Sequence, residues 1–432
     1  MVELTIDDIK AELHNGARVI LQLRHAERPK MDPDDPSFGD QLKLTYEGVR
    51  TAKELGRRLR EFKADVSFYA SPLMRTRMTA KAIAEGMGLE GAEIPVDDLL
   101  GNGSFYYDDP AEVLDVFKPK NFFPACFEYF RTARQRGFKE LYAASDAYEK
   151  WLLAHARTRL FIVATHDLYI AAFLYAYKAV EEFTCDNWVR FLDGGAIIIY
   201  PDGSRKYALV RSNLSTGICG VHRPKLSAVI FDFGGVFTKT TMPERVRKSV
   251  EDTGISWEYL ADGFARYRKL MDGGFITAEE MYDNIWADAG IDLSPAIRAK
   301  IIEEDFASYL SEARNEQTLR FMRELKERGY RLGILTNMPP QFAPKFRAAY
   351  HDFIALVDAV VISGEERMFK PQPRIYARME AAMGLPGNEL CFIDDVATNC
   401  QAAREAGWQA IQFESNRQVE DDFNYLAAES KR

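Results

Sequence analysis

Short apolar runs rich in β-branched residues alternate with longer stretches of helical period along the whole chain. Residues 17–23 (ARVILQL), 64–70 (ADVSFYA), 159–165 (RLFIVAT) and 195–200 (GAIIIY) form one series of such runs. A second series comprises residues 227–233 (SAVIFDF), 330–337 (YRLGILTN), 359–364 (AVVISG) and 389–395 (ELCFIDD). Strand-like runs separated by helical segments predict α/β folds with mostly parallel sheets, and the double series predicts two doubly wound domains in tandem. Residues 211–227 (RSNLSTGICGVHRPKLS) are polar, contain glycine and have no helical period. They place a connection at 213–225, between a domain at 1–212 and one at 226–432.

Two segments interrupt the alternation. Residues 104–150 are aromatic-rich and helical, as in FYYDDPAEVLDVF and FEYFRTARQRGF, and either pack against the sheet or cover a pocket. Residues 240–315 predict consecutive helices inserted after the first strand of the second domain, one of them opening at a capping box of Thr277 and Glu280.

Composition narrows the function classes. The 432 residues suffice for two full cores, and a formal net charge of -9 gives no uncompensated basic surface for gripping nucleic acid. The first residues, MVELTIDDIKAEL, carry acids where a secretory leader needs a basic segment and an apolar run, and no stretch is long enough to span a bilayer. A cytoplasmic protein is expected. Five cysteines without a CxxC pair suit reduced thiols that fill core and surface positions. Oligomeric state is not legible.

In open α/β sheets ligands gather at the carboxyl ends of strands. Three ends in the first series are basic: ARVILQL leads into Arg24, His25 and Arg28, ADVSFYA into Arg75, and RLFIVAT into His166 and Asp167. Transfer of a phosphomonoester needs donors around its non-bridging oxygens, an in-line nucleophile and an acid for the departing oxygen. Arg24, Arg28 and Arg75 offer forked donors. His25, with cations lowering its pKa, offers a neutral nucleophile; His166 offers a further donor and Asp167 an acid.

LRHAERP (Leu23 to Pro29), LTYEG (Leu44 to Gly48), SPLMRTRMTA (Ser71 to Ala80) and THD (Thr165 to Asp167) resemble, in order, the motifs of the histidine phosphatase superfamily, also called phosphoglycerate mutase-like. The resemblance implies that superfamily's three-layer sandwich, a phosphorylated His25, phosphate binding by Arg24, Arg28, Arg75 and His166, Asp167 as acid, and no cofactor. Ala26 stands where the family usually has glycine and is expected to narrow the pocket. Asp108 or Asp109 in YYDDP is the alternative acid, since one branch takes it from a glutamate after the second motif.

The second series ends its strands in Asp232, Thr336-Asn337 and Asp394-Asp395, with Lys370 in KPQPRIY. A carboxylate attacking a phosphate dianion meets like-charge repulsion, so such a site needs a divalent cation and a fixed positive side chain. DFGGVF, LTN, KPQPRIY and FIDDVATNCQAAREAGW resemble the four motifs of the haloacid dehalogenase superfamily, and the helical insertion resembles its small cap over a Rossmann-like core. That resemblance implies Asp232 as nucleophile and magnesium ligand, Asp394 and the Gly234 carbonyl as further ligands, Asp395 in support, and Thr336, Asn337 and Lys370 holding phosphate. Gly234 replaces the usual acid-base aspartate. General acid catalysis contributes about 10² to 10⁴ in rate, so the substitution implies weakened phosphatase activity or a substrate with a good leaving group.

The expected function is a bifunctional phosphatase acting on small phosphorylated metabolites, sugar phosphates first. The alternatives are a single histidine phosphatase beside a silent ligand- or partner-binding domain, a mutase or phosphotransferase at His25, and a dehalogenase at Asp232.

Overall fold

A computed structural model describes residues 2–31, 39–101, 104–117, 122–215, 217–220, 225–238, 247, 251, 256–309 and 314–429. The chain divides into two compact units, residues 1–222 and 223–432. Residues 213–222, expected within the connection, thus belong to the first unit. Ile218 and Gly217 fix them there by accepting hydrogen bonds from Arg24 and the Phe191 N–H.

The first unit is built on β1 (Glu3–Thr5), β2 (Arg18–Arg24), β3 (Val66–Ala70), β4 (Leu160–Thr165), β5 (Gly194–Ile199) and β6 (Arg205–Arg211). Their order across the sheet is β1-β6-β5-β2-β4-β3. β2, β4 and β3 run parallel, as does β1 with β6, whereas β5 is antiparallel to both neighbours. The reversal comes from a short hairpin between β5 and β6, in which Gly203 takes φ +84° and Asp202 accepts from the Ser204 N–H. Strands buried on both faces send alternate residues into different layers. Ile20, Phe161 and Val163 join one apolar cluster, and Val19, Leu21, Leu160 and Ile162 the other. The sheet is therefore the middle of three layers. The 104–150 segment packs as core, burying Tyr106, Tyr129, Phe130 and Tyr148.

The second unit has β7 (Ala228–Phe231), β8 (Arg331–Thr336), β9 (Ala359–Ile362), β10 (Leu390–Asp394) and β11 (Gln409–Gln412), all parallel in the order β11-β10-β7-β8-β9. Described helices of the insertion span Trp257–Asp272, Ala278–Ala289 and Pro295–Tyr309 and hold their own core around Leu260, Met281, Ile285 and Trp286. The Thr277–Glu280 capping box is formed in both directions. Most of residues 239–255, within the expected insertion, lie outside the described residues. Among the described residues no helix is long and apolar enough to cross a membrane.

Candidate active sites

Parallel register brings the basic strand ends together. Arg24 pairs with Thr165 and Ala70 with Ala164, so the residues that follow emerge side by side at one sheet edge. The His25 N–H donates to the Thr165 carbonyl (3.0 Å) and the Ser71 N–H to the Ala164 carbonyl (3.0 Å). The LTYEG stretch locks this edge. Thr45 caps the helix Tyr46–Arg58 and donates to Glu27 Oε1 at 2.7 Å, while a Cβ on Gly48 would lie 2.2 Å from the Glu27 carbonyl oxygen. Only glycine permits that approach.

His25, 3% exposed, is 2.8 Å from the Ala26 carbonyl through Nδ1. Burial, then Arg75, Arg24 and Arg28, hold its pKa well below the ordinary value, so the ring is neutral. A carbonyl only accepts, so Nδ1 carries the proton and Nε2 presents its lone pair. His166, also held neutral by burial and the same arginines, lies with its ring 5.7 Å from that of His25 and shares a 3.0 Å hydrogen bond with Ser71 Oγ.

The arginines are anchored in part by backbone carbonyls. Arg24 donates to the carbonyls of Val189 (2.7 Å) and Ile218 (2.8 Å), lies 4.4 Å over the Phe191 ring, and meets Asp167 at 3.2 Å. Arg75 donates to the Gly39 carbonyl. Burial lowers the pKa of Arg75 to about 9 and, with Arg24 next, that of Arg28 to about 10. Asp167 accepts from Arg24, from Trp188 Nε1 at 3.0 Å and from the Leu168 N–H. Arg24, His25, Arg28, Arg75, His166 and Asp167 line a cavity of about 440 Å³.

Two expectations are corrected. The Ala26 methyl is fully buried in the apolar layer and lines no part of the cavity, so it does not narrow the pocket. Asp108 and Asp109 are exposed and outside the cavity lining; Asp109 is occupied as N-cap of the helix Pro110–Val116.

In the second unit Asp232 follows β7, and Asp394 and Asp395 stand at the end of the adjacent β10. Asp232, Asp394 and Asp395 each offer an oxygen, all within 4.8 Å of one another. Lys370 Nζ, 1% exposed, lies 2.8 Å from Asp232 and 2.6 Å from Asp394. Asp394 also accepts from Asn399 Nδ2 and the Val396 N–H. Asn337 accepts from the Lys370 N–H and donates to its carbonyl, so it positions Lys370. Thr336 is buried at the end of β8. Gly234 forms a bridge with Thr238, and Gly235, at φ +74°, clears the Asp395 carboxylate that a Cβ would meet at 2.2 Å.

Comparison with known proteins decides the families. Residues 20–191 match the histidine phosphatase superfamily (branch 1), and residues 226–407 match the haloacid dehalogenase-like hydrolases. The chain joins one domain of each family. It is 27% identical over 205 residues to Phosphatase MT3486 of Mycobacterium tuberculosis, covering 45% of this chain and 91% of that protein. It is 24% identical over 201 residues to (S)-2-haloacid dehalogenase 4A of Burkholderia cepacia, covering 45% and 84%. With phosphoglycolate phosphatase of Escherichia coli K12 it shares 28% over 127 residues, 28% of this chain and 50% of that one. A haloacid dehalogenase family enzyme of Bacteroides thetaiotaomicron, solved with magnesium and inorganic phosphate, shares 22% identity over 43% of this chain and 93% of its own, with a TM-score of 0.35.

Charge in the haloacid dehalogenase-like domain is the mirror image of that in the histidine phosphatase domain. Burial, opposed by Lys370 and reinforced by Asp394, raises the Asp232 pKa to about 7. Among the described residues, three carboxylates face one ammonium, and a divalent cation fits that deficit and the all-oxygen donor set.

Several contributors went unnamed in the sequence. Ser71 and Thr79 lie inside SPLMRTRMTA, where Thr79 receives the Ala26 N–H, so the motif carries their signal. Asn399 sits five residues after Asp394, in reach from the first turn of the following helix. Phe191, Trp188 and Ile218 have no local signal, since only the folded chain brings them to Arg24 and Asp167. All five cysteines are unpaired, as expected; the exposed Cys219 also borders the cavity.

Proposed function

We propose that the chain is a bifunctional phosphatase for small phosphorylated metabolites, with one site in each domain. The observation that carries the first site is a neutral His25 whose Nδ1 is bound to its own chain and whose Nε2 is left for attack beside buried Arg24 and Arg75 and half-buried Arg28. Arg24, Arg28, Arg75 and His166 take the non-bridging oxygens, His25 Nε2 bonds to phosphorus, and the bond to the ester oxygen breaks. Asp167 gives that oxygen its proton. Water then attacks phosphorus, Asp167 accepts its proton, and His25 leaves as the neutral ring with inorganic phosphate released. Delivery to an alcohol instead of water would make the same site a mutase or phosphotransferase.

In the second site Asp232 is the nucleophile, Lys370, Thr336 and Asn337 hold phosphate, and Asp395 supports the carboxylate cluster. Asp232, Asp394 and the Gly234 carbonyl would hold magnesium, which would supply the positive charge that lets a carboxylate approach a phosphate dianion. Three clustered carboxylates support phosphatase over dehalogenase chemistry, because displacement of halide needs no such cation. Gly234 favours a second reading in which this domain is silent and binds a ligand or partner. If it is active, lacking an acid at 234 restricts it to good leaving groups such as anomeric phosphates.

Chelation separates the sites. A phosphomonoester panel assayed with wild type, His25→Ala and Asp232→Asn should show one chelator-resistant activity lost with His25 and one magnesium-dependent activity lost with Asp232. Asp232→Asn silent across the panel would leave only the first site. Chelator-resistant activity retained in His25→Ala would remove the histidine assignment.

A further inference from the structure

We propose that the histidine phosphatase domain takes phosphomonoesters with an apolar body, an aryl or medium-length alkyl group, rather than sugar phosphates; this rests on the hydrolase reading of the His25 site. The cavity is divided by chemistry. At the sheet edge stand the arginines and histidines; beyond them the wall comes from Val113, Phe117, Phe122, Phe123, Leu168 and Ile218.

The aromatic part of that wall is fixed rather than loose. Phe122 meets Phe117 and Phe123 with ring centroids 4.9 and 5.2 Å apart, and Phe123 sets its edge against Trp188 at 5.3 Å. Trp188 in turn is tied to Asp167 through its indole N–H. A body seated on these rings thus lies beside the proposed acid and keeps water from it.

Among the described residues, this part of the wall offers a sugar few partners for its hydroxyls. The Tyr169 hydroxyl, which faces the same region, is already engaged with the Gly101 carbonyl and Ser104. Among the described lining residues beyond the phosphate end, Lys30, Tyr107 and the Cys219 thiol are the other polar side chains. Lys30 is exposed, and burial holds the Tyr107 phenol protonated. Several sugar hydroxyls would be desolvated against phenylalanine and valine without partners, whereas an alkyl or aryl group gains by the same burial.

The test uses the full chain in chelator, with the rate of His25→Ala subtracted, and three primary-alcohol phosphates of similar leaving-group basicity: octyl phosphate, glycerol 3-phosphate and glucose 6-phosphate. The expected kcat/KM for octyl phosphate exceeds that for glucose 6-phosphate by on the order of 10²-fold. Phe122→Ala should lower the octyl value by about tenfold, mainly through KM, and leave glycerol 3-phosphate within about twofold. Val113→Thr, which preserves shape, should move it in the same direction. Equal rates on all three esters, or preference for glucose 6-phosphate, would overturn the apolar assignment while leaving the hydrolase standing. No His25-dependent hydrolysis of any ester would overturn the hydrolase reading and this inference with it.

Discussion

The state of a single imidazole governs the first site. Burial and three arginines place the folded-state pKa of His25 and His166 below the ordinary value, so both rings are neutral in the fold and gain protons more readily when unfolded. Their contribution to stability is therefore full above about pH 6.5 and is lost as pH falls from there toward the depressed folded values. Activity should follow the same sign. After correction for the substrate's own ionisation near pH 6, kcat/KM in chelator should stay flat from pH 8 down through 6.5. An acid limb centred at 6.5 would mean an unperturbed nucleophile. The arginines make a second prediction. Burial, more than the neighbouring arginines, depresses Arg28 and Arg75 to about 10 and 9, and a bound phosphate or vanadate offsets that cost. At about 100 times its Kd such an anion adds about 2.7 kcal/mol of stability. The rise in Tm should persist in His25→Ala and be much reduced in Arg75→Ala.

At the scale of elements, the sites follow from strand ends brought into register, and tight backbone approaches hold the register. Gly48→Ala places a methyl group against the Glu27 carbonyl. It should cost about 1 to 3 kcal/mol, read as a lowered Tm with reduced chelator-resistant activity. Eight of the eleven strands correspond to apolar runs visible in the sequence, because strands buried on both faces are written as nearly continuous β-branched text. β1, β6 and β11 were not singled out: β1 is three residues long, β6 begins Arg-Lys, and β11 carries glutamine at both ends. The arginines and histidines of the first site were legible because each lies at a strand end or within five residues after one. Ala26 misled because sequence shows that a methyl is present but not which layer receives it. The aromatic segment after residue 104 was read as core or as lid, and in the fold it is core while Val113, Phe117, Phe122 and Phe123 wall the cavity. Phe191, Trp188 and Ile218 were illegible because their partners are more than a hundred residues away in some cases, as with Ile218 and Arg24.

Across the whole molecule two candidate sites of opposite charge lie in one chain, and they should answer differently to metal. Asp232 has a folded-state pKa raised toward about 7, so its ionisation becomes unfavourable to the fold as pH rises through that value. Magnesium offsets this cost where the carboxylate is ionised. The magnesium-induced rise in Tm should be larger at pH 8 than at pH 6 and absent in Asp232→Asn; equal shifts at both pH values would contradict the carboxylate cluster as the metal site.

The most direct measurement is peptide mass spectrometry of the full chain quenched in alkali during turnover in chelator, conditions that preserve phosphohistidine and silence the second site. A phosphoryl group on His25 in wild type and in Asp232→Asn, and none in His25→Ala, is the predicted result. Label on another residue, or label on His25 only when magnesium is restored, would contradict a metal-free histidine nucleophile.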